Sequence, residues 1–307
     1  MLPSASSACR LPAREAQRSM PELPEVETMR RGLAGLVGRR VALIEFPRSH
    51  LRPISIAPRP ATVAGRLTGR SIAGTHRRGK RVVLEFGAEG SDRLWLVVEP
   101  RMTGLFLVGS PPSPEHVRMR VQFEGRGEPR GMLFWDRRGL GTIRLVDDRG
   151  LEAVCGRSVL GPDGLVVSGE DLRSALGRSR RAVKVALLDQ RAVAGIGNIY
   201  AAEILFRARI DPRTPCRRLP ADAWQRIADR TRDVLAEAVR LEGSSIGDET
   251  YRTADNRPGR AQRRHRVYGR AGEPCRGCGA AVERIVQAQR STFFCPRCQV
   301  RSRAARR

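Results

Sequence analysis

Two Cys-x2-Cys pairs near the end of the chain constrain its fold more than any other feature. Cys275 and Cys278 form the first pair, and Cys295 and Cys298 form the second, with sixteen residues between the pairs. Each pair can hold a metal ion from a tight turn, and two pairs complete a tetrahedral set of thiolates for Zn²⁺. Because four thiolates leave no open coordination position, the sequence predicts one structural zinc ion. Two disulfide bonds are the alternative.

The chain also carries a large excess of positive charge. Its 307 residues include 57 Lys and Arg against 32 Asp and Glu, which gives a formal net charge of +25. Such a charge is typical of proteins that bind a polyanion, and it argues against an enzyme for small neutral metabolites. A hydrophobic fraction of 40% is enough for a packed core. No run of about 18 apolar residues is present, so a membrane-spanning helix is not expected.

The order of hydrophobic patterns predicts an α+β protein of several domains. Short strand-like runs occupy residues 41–46, 81–86, 94–98, 117–123, 131–135 and 142–146. They predict a two-layer β-sandwich up to about residue 150. In the clearest run, alternation places Val117 on a buried face and Arg118 on a solvated face. Helical spacing predicts helices over residues 25–36, 169–176, 181–189, 198–208 and 224–241.

Four stretches of sequence carry a resemblance to a known family. They are MPELPEVET at residues 20–28, GIGNIYA at residues 195–201, and VYGR at residues 267–270 followed by QRSTFFC at residues 289–295. In this order and spacing, the chain resembles the formamidopyrimidine-DNA glycosylases, bacterial enzymes that excise oxidised purines from DNA. The resemblance implies a β-sandwich, a helix-two-turn-helix domain and a C-terminal zinc finger.

The resemblance also implies a division of the chain into five parts. These are an extension absent from the mature protein (1–19), the catalytic β-sandwich (20–150), the helix-two-turn-helix DNA-binding domain (151–250), the zinc finger (251–300) and a basic tail (301–307).

The catalytic residues implied by the resemblance are Pro21, Glu22, Glu25 and Lys80. The nitrogen of Pro21 is the expected nucleophile, because a terminal amine is neutral far more often near pH 7 than a lysine side chain. Glu22 is expected to protonate the opening sugar, with Glu25 as its supporting carboxylate. As written, however, Pro21 follows Met20, and an amide nitrogen cannot attack. We therefore expect translation from Met20 with removal of that methionine, or processing of residues 1–19, or else an inactive product.

Lys80 and Lys184 are the only lysines of the chain. By the same resemblance, both lysines are expected to contact phosphates of DNA, together with Asn198 and Arg290. The alternatives are a solvated loop for Lys80 and a charge on a helix surface for Lys184. Asn198 lies at the start of a predicted helix, where backbone N–H groups attract anions and where asparagine is a favoured N-cap.

Removing a base from duplex DNA requires turning it out of the stack and filling the gap. The resemblance assigns the filling residues to two turns, with Met102 on the first and with Arg138 and Leu140 on the second. Arg138 would face the orphaned cytosine and Leu140 would be the apolar wedge. Packing at strand ends is the alternative for Met102 and Leu140.

These expectations combine into a bifunctional DNA glycosylase and AP lyase of base excision repair. Its partner would be double-stranded DNA that contains 8-oxoguanine or formamidopyrimidines, without any membrane association. The enzyme would be a monomer of the bacterial cytoplasm, held at the nucleoid by DNA binding. Two alternatives remain open: an endonuclease VIII-like enzyme for oxidised pyrimidines, or a non-catalytic lesion-binding protein if Pro21 stays blocked.

Overall fold

The structure is a computed structural model that describes residues 20–87, 93–246 and 251–300. The predicted extension and the predicted basic tail lie outside these ranges. The strands are β1 (Val41–Glu45), β2 (Ser55–Ala57), β3 (Ser71–Arg78), β4 (Arg81–Gly87), β5 (Leu94–Glu99), β6 (Gly104–Leu107), β7 (Val117–Phe123), β8 (Gly131–Asp136), β9 (Thr142–Val146), β10 (Glu283–Gln287) and β11 (Arg290–Phe294). The helices are α1 (Leu23–Gly32), α2 (Pro60–Leu67), α3 (Asp148–Cys155), α4 (Gly169–Leu176), α5 (Val183–Ala186), α6 (Asn198–Arg207) and α7 (Ala221–Arg240).

The first nine strands form the predicted two-layer β-sandwich. One sheet has the order β1-β7-β8-β6, and the other has the order β2-β9-β5-β4-β3. All pairs are antiparallel except β2 and β9. Alternate side chains of both sheets meet in one core, which includes Leu84, Leu96, Phe106 and Phe134. This interdigitation is the usual way in which two sheets exclude water from their inner faces.

Two details of the sandwich differ from the sequence prediction. The pattern did not predict the short strands β2 and β6, the strand β3, or the helices α2 and α3. Arg118 was expected on the solvated face, but it is only 5% exposed. The pairing of β7 with β8 shifts register between Val117 and Met119. This irregularity turns Arg118 inward, where its Nε donates to the main-chain oxygen of Asp136 at 3.0 Å.

The second part of the molecule is a group of helices around α7. The buried face of α7 includes Trp224, Ile227, Thr231 and Leu235, at the spacing that the sequence predicted. It packs against α4, α6 and α1. Helix α5 is shorter than predicted. Among the described residues, no helix combines the length and the apolar character needed to cross a bilayer.

The third part is a β10–β11 hairpin. Gln287 pairs with Arg290, and the turn residues Ala288 and Gln289 have φ values of 47° and 58°. Two consecutive residues in this left-handed region are typical of the tight turns that connect twisted strands. Phe293 and Cys295 of the hairpin belong to the same buried core as α6, so the hairpin is docked on the helices.

A partly buried ion-pair network joins the sandwich to the helical part. The guanidinium of Arg77, at the end of β3, donates to Asp163 at 2.6 and 3.1 Å and to Glu27 of α1 at 3.1 Å. The same group holds the main-chain oxygen of Gly79 at 3.0 Å. The network therefore fixes the β3–β4 turn, which carries Lys80, against both parts.

Candidate active site

Glu22 lies where α1 of the sandwich meets the first turn of α6. Its carboxylate oxygens accept hydrogen bonds from the main-chain N–H groups of Gly197 (2.7 Å), Ile199 (2.8 Å) and Tyr200 (3.3 Å). A Cβ at position 197 would lie 2.3 Å from Cδ of Glu22, so only glycine leaves room for this carboxyl group. The start of α6 is thus the anion site predicted from the sequence, but a protein carboxyl group fills part of it.

The environment of Glu22 suits a proton donor near neutral pH. The side chain is only 2% exposed, and burial raises the pKa of Glu22 from 4.5 to about 7. The charge of Lys80 and the amides of α6 favour the ionised form and partly offset that rise, whereas the neighbouring Glu25 adds to it. A pKa near the working pH is the optimum for a general acid.

Glu25 is held by donors from three segments of the chain. Its Oε2 accepts the main-chain N–H of Glu22 at 2.9 Å. Its Oε1 accepts the hydroxyl of Tyr200 at 2.6 Å and the main-chain N–H of Ser244 at 2.7 Å. Burial raises the pKa of Glu25, while these donors lower it. The contacts fix the backbone of Glu22 and therefore support the expectation that Glu25 is a supporting carboxylate.

Pro21 and Lys80 lie beside this carboxyl pair. Pro21 is buried and directly precedes Glu22. Lys80 lies in the turn between β3 and β4 and is half-buried. Burial lowers the pKa of Lys80; the charge of Glu22 raises it and that of Arg290 lowers it. The sandwich therefore supplies a proline nitrogen, a carboxyl group and an ammonium group within one electrostatic environment.

Lys184 and Asn198 form a second polar pair next to the first. Lys184 is fully buried, so it is not a charge on a helix surface. Its Nζ donates a hydrogen bond to Oδ1 of Asn198. Burial lowers the pKa of Lys184 to about 8, with a further decrease from the charge of Arg290. The amide of Asn198 donates to the main-chain oxygen of Ser291 at 3.0 Å. This contact links α6 to the hairpin on which Arg290 is exposed.

The N-cap of α6 is Gly197, and Asn198 is the first residue of the helix. The prediction that Asn198 is the N-cap was therefore wrong. Its side chain is bound to Lys184 and Ser291 instead, which leaves the amides of the first turn to Glu22.

Met102, Arg138 and Leu140 lie on two neighbouring turns of the sandwich. Met102 is on the β5–β6 turn, whereas Arg138 and Leu140 are on the β8–β9 turn. Arg138 is exposed, and the other two side chains are half-buried. Neither apolar side chain is part of the sandwich core, which favours the surface role over packing at strand ends.

The four cysteines of the two pairs meet at the base of the hairpin. Their sulfur atoms lie within 4.8 Å of one another. Cys275 and Cys298 are separated by 3.9 Å, and Cys278 and Cys295 by 3.5 Å. These distances are far longer than a disulfide bond and match the edges of a tetrahedron of sulfur atoms about 2.3 Å from zinc. The four thiolates therefore fit one structural zinc ion, and two disulfide bonds are excluded.

Several residues of the site were not predicted from the sequence. Tyr200 lies in a stretch that carries the family resemblance. It contacts Glu25, which lies 175 residues away in the sequence, and no local sequence pattern predicts such a contact. Glu203 of α6 accepts the main-chain N–H groups of residues 266–268 and so fixes the segment that leads to the hairpin. Asp136 is completely buried between the two turns of Met102 and Arg138.

Three family models match the chain in the order of its structural parts. They are the formamidopyrimidine-DNA glycosylase N-terminal domain at residues 20–143, the H2TH domain of the same enzymes at residues 160–250, and a zinc finger found in FPG and IleRS at residues 272–300. A β-sandwich, an H2TH domain and a zinc finger around a buried acid define a DNA glycosylase of base excision repair.

Individual relatives agree over nearly the whole chain. The formamidopyrimidine-DNA glycosylase of Solibacter usitatus is 40% identical over 92% of this chain and 100% of its own length. The crystal structure of the MutM (Fpg) protein of Thermus thermophilus superposes with a TM-score of 0.78 at 39% identity, and it covers 92% of this chain and 100% of its own. The Lactococcus lactis Fpg bound to abasic-site DNA has a TM-score of 0.78 at 32% identity, over 91% and 100%. The chain belongs to the formamidopyrimidine-DNA glycosylase family.

Proposed function

We propose that this protein excises oxidised purines from double-stranded DNA and then cleaves the strand at the resulting abasic site. The observation that carries the proposal is the carboxyl group of Glu22, which follows Pro21 directly and whose pKa is raised to about 7. A proton donor adjacent to a proline nitrogen is the arrangement that amine-dependent base excision requires.

The first chemical step requires Pro21 as the first residue of the chain. Its secondary amine attacks C1′ of the damaged nucleotide, a bond forms between nitrogen and C1′, and the bond to the base breaks, with the N–H proton of the amine passing to the departing base. Glu22 donates its proton to the ring oxygen as the sugar opens, and the product is an iminium ion. Because the amine is secondary, this cation has no N–H proton left to lose and stays positively charged.

The iminium ion then makes strand cleavage possible. It withdraws electrons from the sugar, so a proton can leave C2′ while the bond to the 3′ phosphate breaks. A second elimination releases the 5′ phosphate, and water frees the proline from the sugar fragment. Both eliminations follow from the same covalent intermediate, which explains why one site would have glycosylase and lyase activities.

Four polar side chains would hold the DNA backbone at this site. Lys80, Lys184 and Asn198 lie around the carboxyl pair, and Arg290 projects from the neighbouring hairpin. We propose that they contact the phosphates that flank the lesion. Met102, Arg138 and Leu140 would fill the gap left by the displaced base.

The parts of the chain would divide this work. We assign residues 20–150 to the catalytic sandwich, 151–250 to the helix-two-turn-helix domain and 251–300 to the zinc finger. We further propose that the protein acts as a monomer in the bacterial cytoplasm and remains close to the nucleoid through DNA binding. Residues 1–19 would be absent from the active form.

Borohydride trapping tests the reaction. Protein whose N-terminal sequence starts at Pro21 is mixed with a duplex that contains 8-oxoguanine, and the iminium ion is reduced to a stable adduct. We expect a covalent adduct with the wild type and with the surface variant Glu45→Gln, much less with Pro21→Gly, whose terminal amine is primary, and none with Glu22→Gln. An adduct only with an oxidised pyrimidine would move the assignment to an endonuclease VIII-like enzyme. Tight binding without any adduct would leave a lesion-binding protein.

A further inference from the structure

The two turns that carry Met102 and Arg138 are joined through buried contacts. The β5–β6 turn and the β8–β9 turn each cross from one sheet of the sandwich to the other. At the base of both turns, Gly104 pairs with Asp136 in the antiparallel ladder of β6 and β8. The side chains that would enter DNA therefore depend on how these two crossings are held together.

Asp136 organises the second turn by itself. Its Oδ2 accepts the main-chain N–H groups of Leu140 and Gly141, both at 2.8 Å. Its Oδ1 accepts the main-chain N–H of Arg138 at 3.2 Å. The side chain is completely buried, so it does not reach a ligand on the surface. Both oxygens of Asp136 accept hydrogen bonds from N–H groups. An asparagine at this position would therefore place its own N–H₂ group against one of those donors.

Thr103 connects this arrangement to the first turn. Its hydroxyl donates to Oδ1 of Asp136 and accepts the main-chain N–H of Arg138 at 2.9 Å. Thr103 is 4% exposed and directly follows Met102. One hydroxyl therefore binds the two turns to each other, next to the residue that each turn presents.

Two further contacts hold the second turn from behind. Gly139 has a φ of +60°, and a Cβ at this position would lie 2.3 Å from the main-chain oxygen of Arg52. The buried Arg118 donates to the main-chain oxygen of Asp136 at 3.0 Å. The turn thus lies against the body of the sandwich, and Asp136 is its central acceptor.

We propose that Asp136, with Thr103, is a positioning residue that holds Met102, Arg138 and Leu140 as one rigid unit for gap filling. This inference rests on the proposed function, because it assumes that these three side chains enter the DNA. A gap one base wide is filled well only when the inserted groups keep a fixed spacing, and the buried hydrogen bonds of Asp136 and Thr103 to the second turn provide that spacing.

The test compares a substrate that requires gap filling with one that does not. We expect Asp136→Asn to lower the single-turnover rate of 8-oxoguanine excision from a duplex by about tenfold or more, because buried main-chain donors lose their acceptor. Cleavage of a single-stranded oligonucleotide with a preformed abasic site should keep the wild-type rate within about twofold, since no base pair is opened there. Thr103→Val should show the same selectivity, whereas Thr103→Ser, which retains the hydroxyl, should stay close to the wild type.

A second measurement reports the gap directly. In a Glu22→Gln background, DNA binds without being excised, and a 2-aminopurine next to the lesion becomes fluorescent when its stacking is lost. We expect Asp136→Asn to change that fluorescence at saturating protein, and the double variant Asp136→Asn/Thr103→Val to add little, because both residues belong to one network.

Equal losses on the duplex and on the single-stranded substrate would overturn the proposal, since they would indicate only a structural role. Unchanged duplex excision by Asp136→Asn would overturn it as well. Failure of the wild type to form any borohydride adduct would instead contradict the proposed function, so the two failures are distinguishable.

Discussion

The hydroxyl of Tyr200 in α6 donates a 2.6 Å hydrogen bond to Oε1 of Glu25 in α1. The two residues are separated by 175 positions, and both side chains are buried. The same hydroxyl lies 3.1 Å from Oγ of Ser244, which is in turn 3.0 Å from Nε2 of His265. One phenol therefore connects the sandwich, the helical part and the segment that leads to the zinc hairpin.

Removal of this phenolic hydroxyl should destabilise the protein. A buried hydrogen bond to a carboxyl group contributes about 1.5–3 kcal/mol, so Tyr200→Phe should lower the free energy of unfolding by that amount in urea titrations. Loss of the donor also removes one of the causes that lower the pKa of Glu25, so that pKa should rise further.

Tyr251→Phe is the matched control. Its hydroxyl donates to neutral main-chain oxygens, that of Glu242 at 3.0 Å and that of Glu25 at 3.4 Å, so the expected loss is only about 1 kcal/mol. Equal losses in the two variants would show that the carboxyl group adds nothing to the bond of Tyr200.

The raised pKa of Glu22 should make stability depend on pH. A carboxyl group whose pKa rises from 4.5 to about 7 on folding holds its proton more tightly in the folded state. Its stabilising effect is complete below pH 4.5 and is lost as the pH rises to about 7. The full shift corresponds to roughly 3 kcal/mol. The wild type should therefore lose stability relative to Glu22→Gln over this range, and parallel curves for the two proteins would contradict the assignment.

The lowered pKa of Lys184 should make DNA binding depend on pH. Above its pKa of about 8, Lys184 is increasingly neutral and would lose its attraction for the phosphate that we propose it contacts. The slope of log K against log salt should then decrease by about 0.9 between pH 6.5 and pH 9.5. Lys184→Met should have the smaller slope at pH 6.5, and it should show less change with pH than the wild type. A wild-type slope that is the same at both pH values would argue against a phosphate contact.

Loss of zinc should unfold the hairpin and thereby weaken the binding of DNA. The metal contributes on the order of 10 kcal/mol to the folding of such a ribbon, and the ribbon positions both Arg290 and the Ser291 oxygen that holds Asn198. Cys278→Ser protein should contain less than one zinc per chain and bind lesion DNA weakly in a filter-binding assay. Cys155→Ala, which removes a buried thiol of a separate cluster, should keep its metal and its affinity. Full affinity after chelation would contradict this role of the ribbon.

Local patterns predicted those strands and helices whose hydrophobic periodicity is contained within a few neighbouring residues. The strand Val117–Phe123 and the helix Gly169–Leu176 have the predicted bounds, because alternation and helical spacing are set by which face is buried. The strands β2 and β6 have only three and four residues, too few to show a period. Their pairing is decided by neighbouring strands that lie far away in the sequence.

The candidate site divides in the same way. The cysteine ligands and the Pro21–Glu22 pair follow from short motifs. The partners of the carboxyl groups, such as Tyr200 and Ser244, come from distant segments and could not be inferred without the fold. The burial of Lys184 could not be predicted either. Its helix has only four residues, and a helix this short has the same sequence pattern whether the lysine is exposed to solvent or covered by the protein.

The amide cradle around Glu22 has a consequence for the assembly of the enzyme. The acid is encoded near the beginning of the polypeptide, but the N–H groups that orient it are encoded about 175 residues later. A fragment that contains only the sandwich would include Pro21 and Glu22. It would lack the N–H groups that orient the carboxyl group of Glu22. In a chain that is still being synthesised, the carboxyl group of Glu22 would therefore gain its orienting N–H groups only after the helical part has emerged and docked.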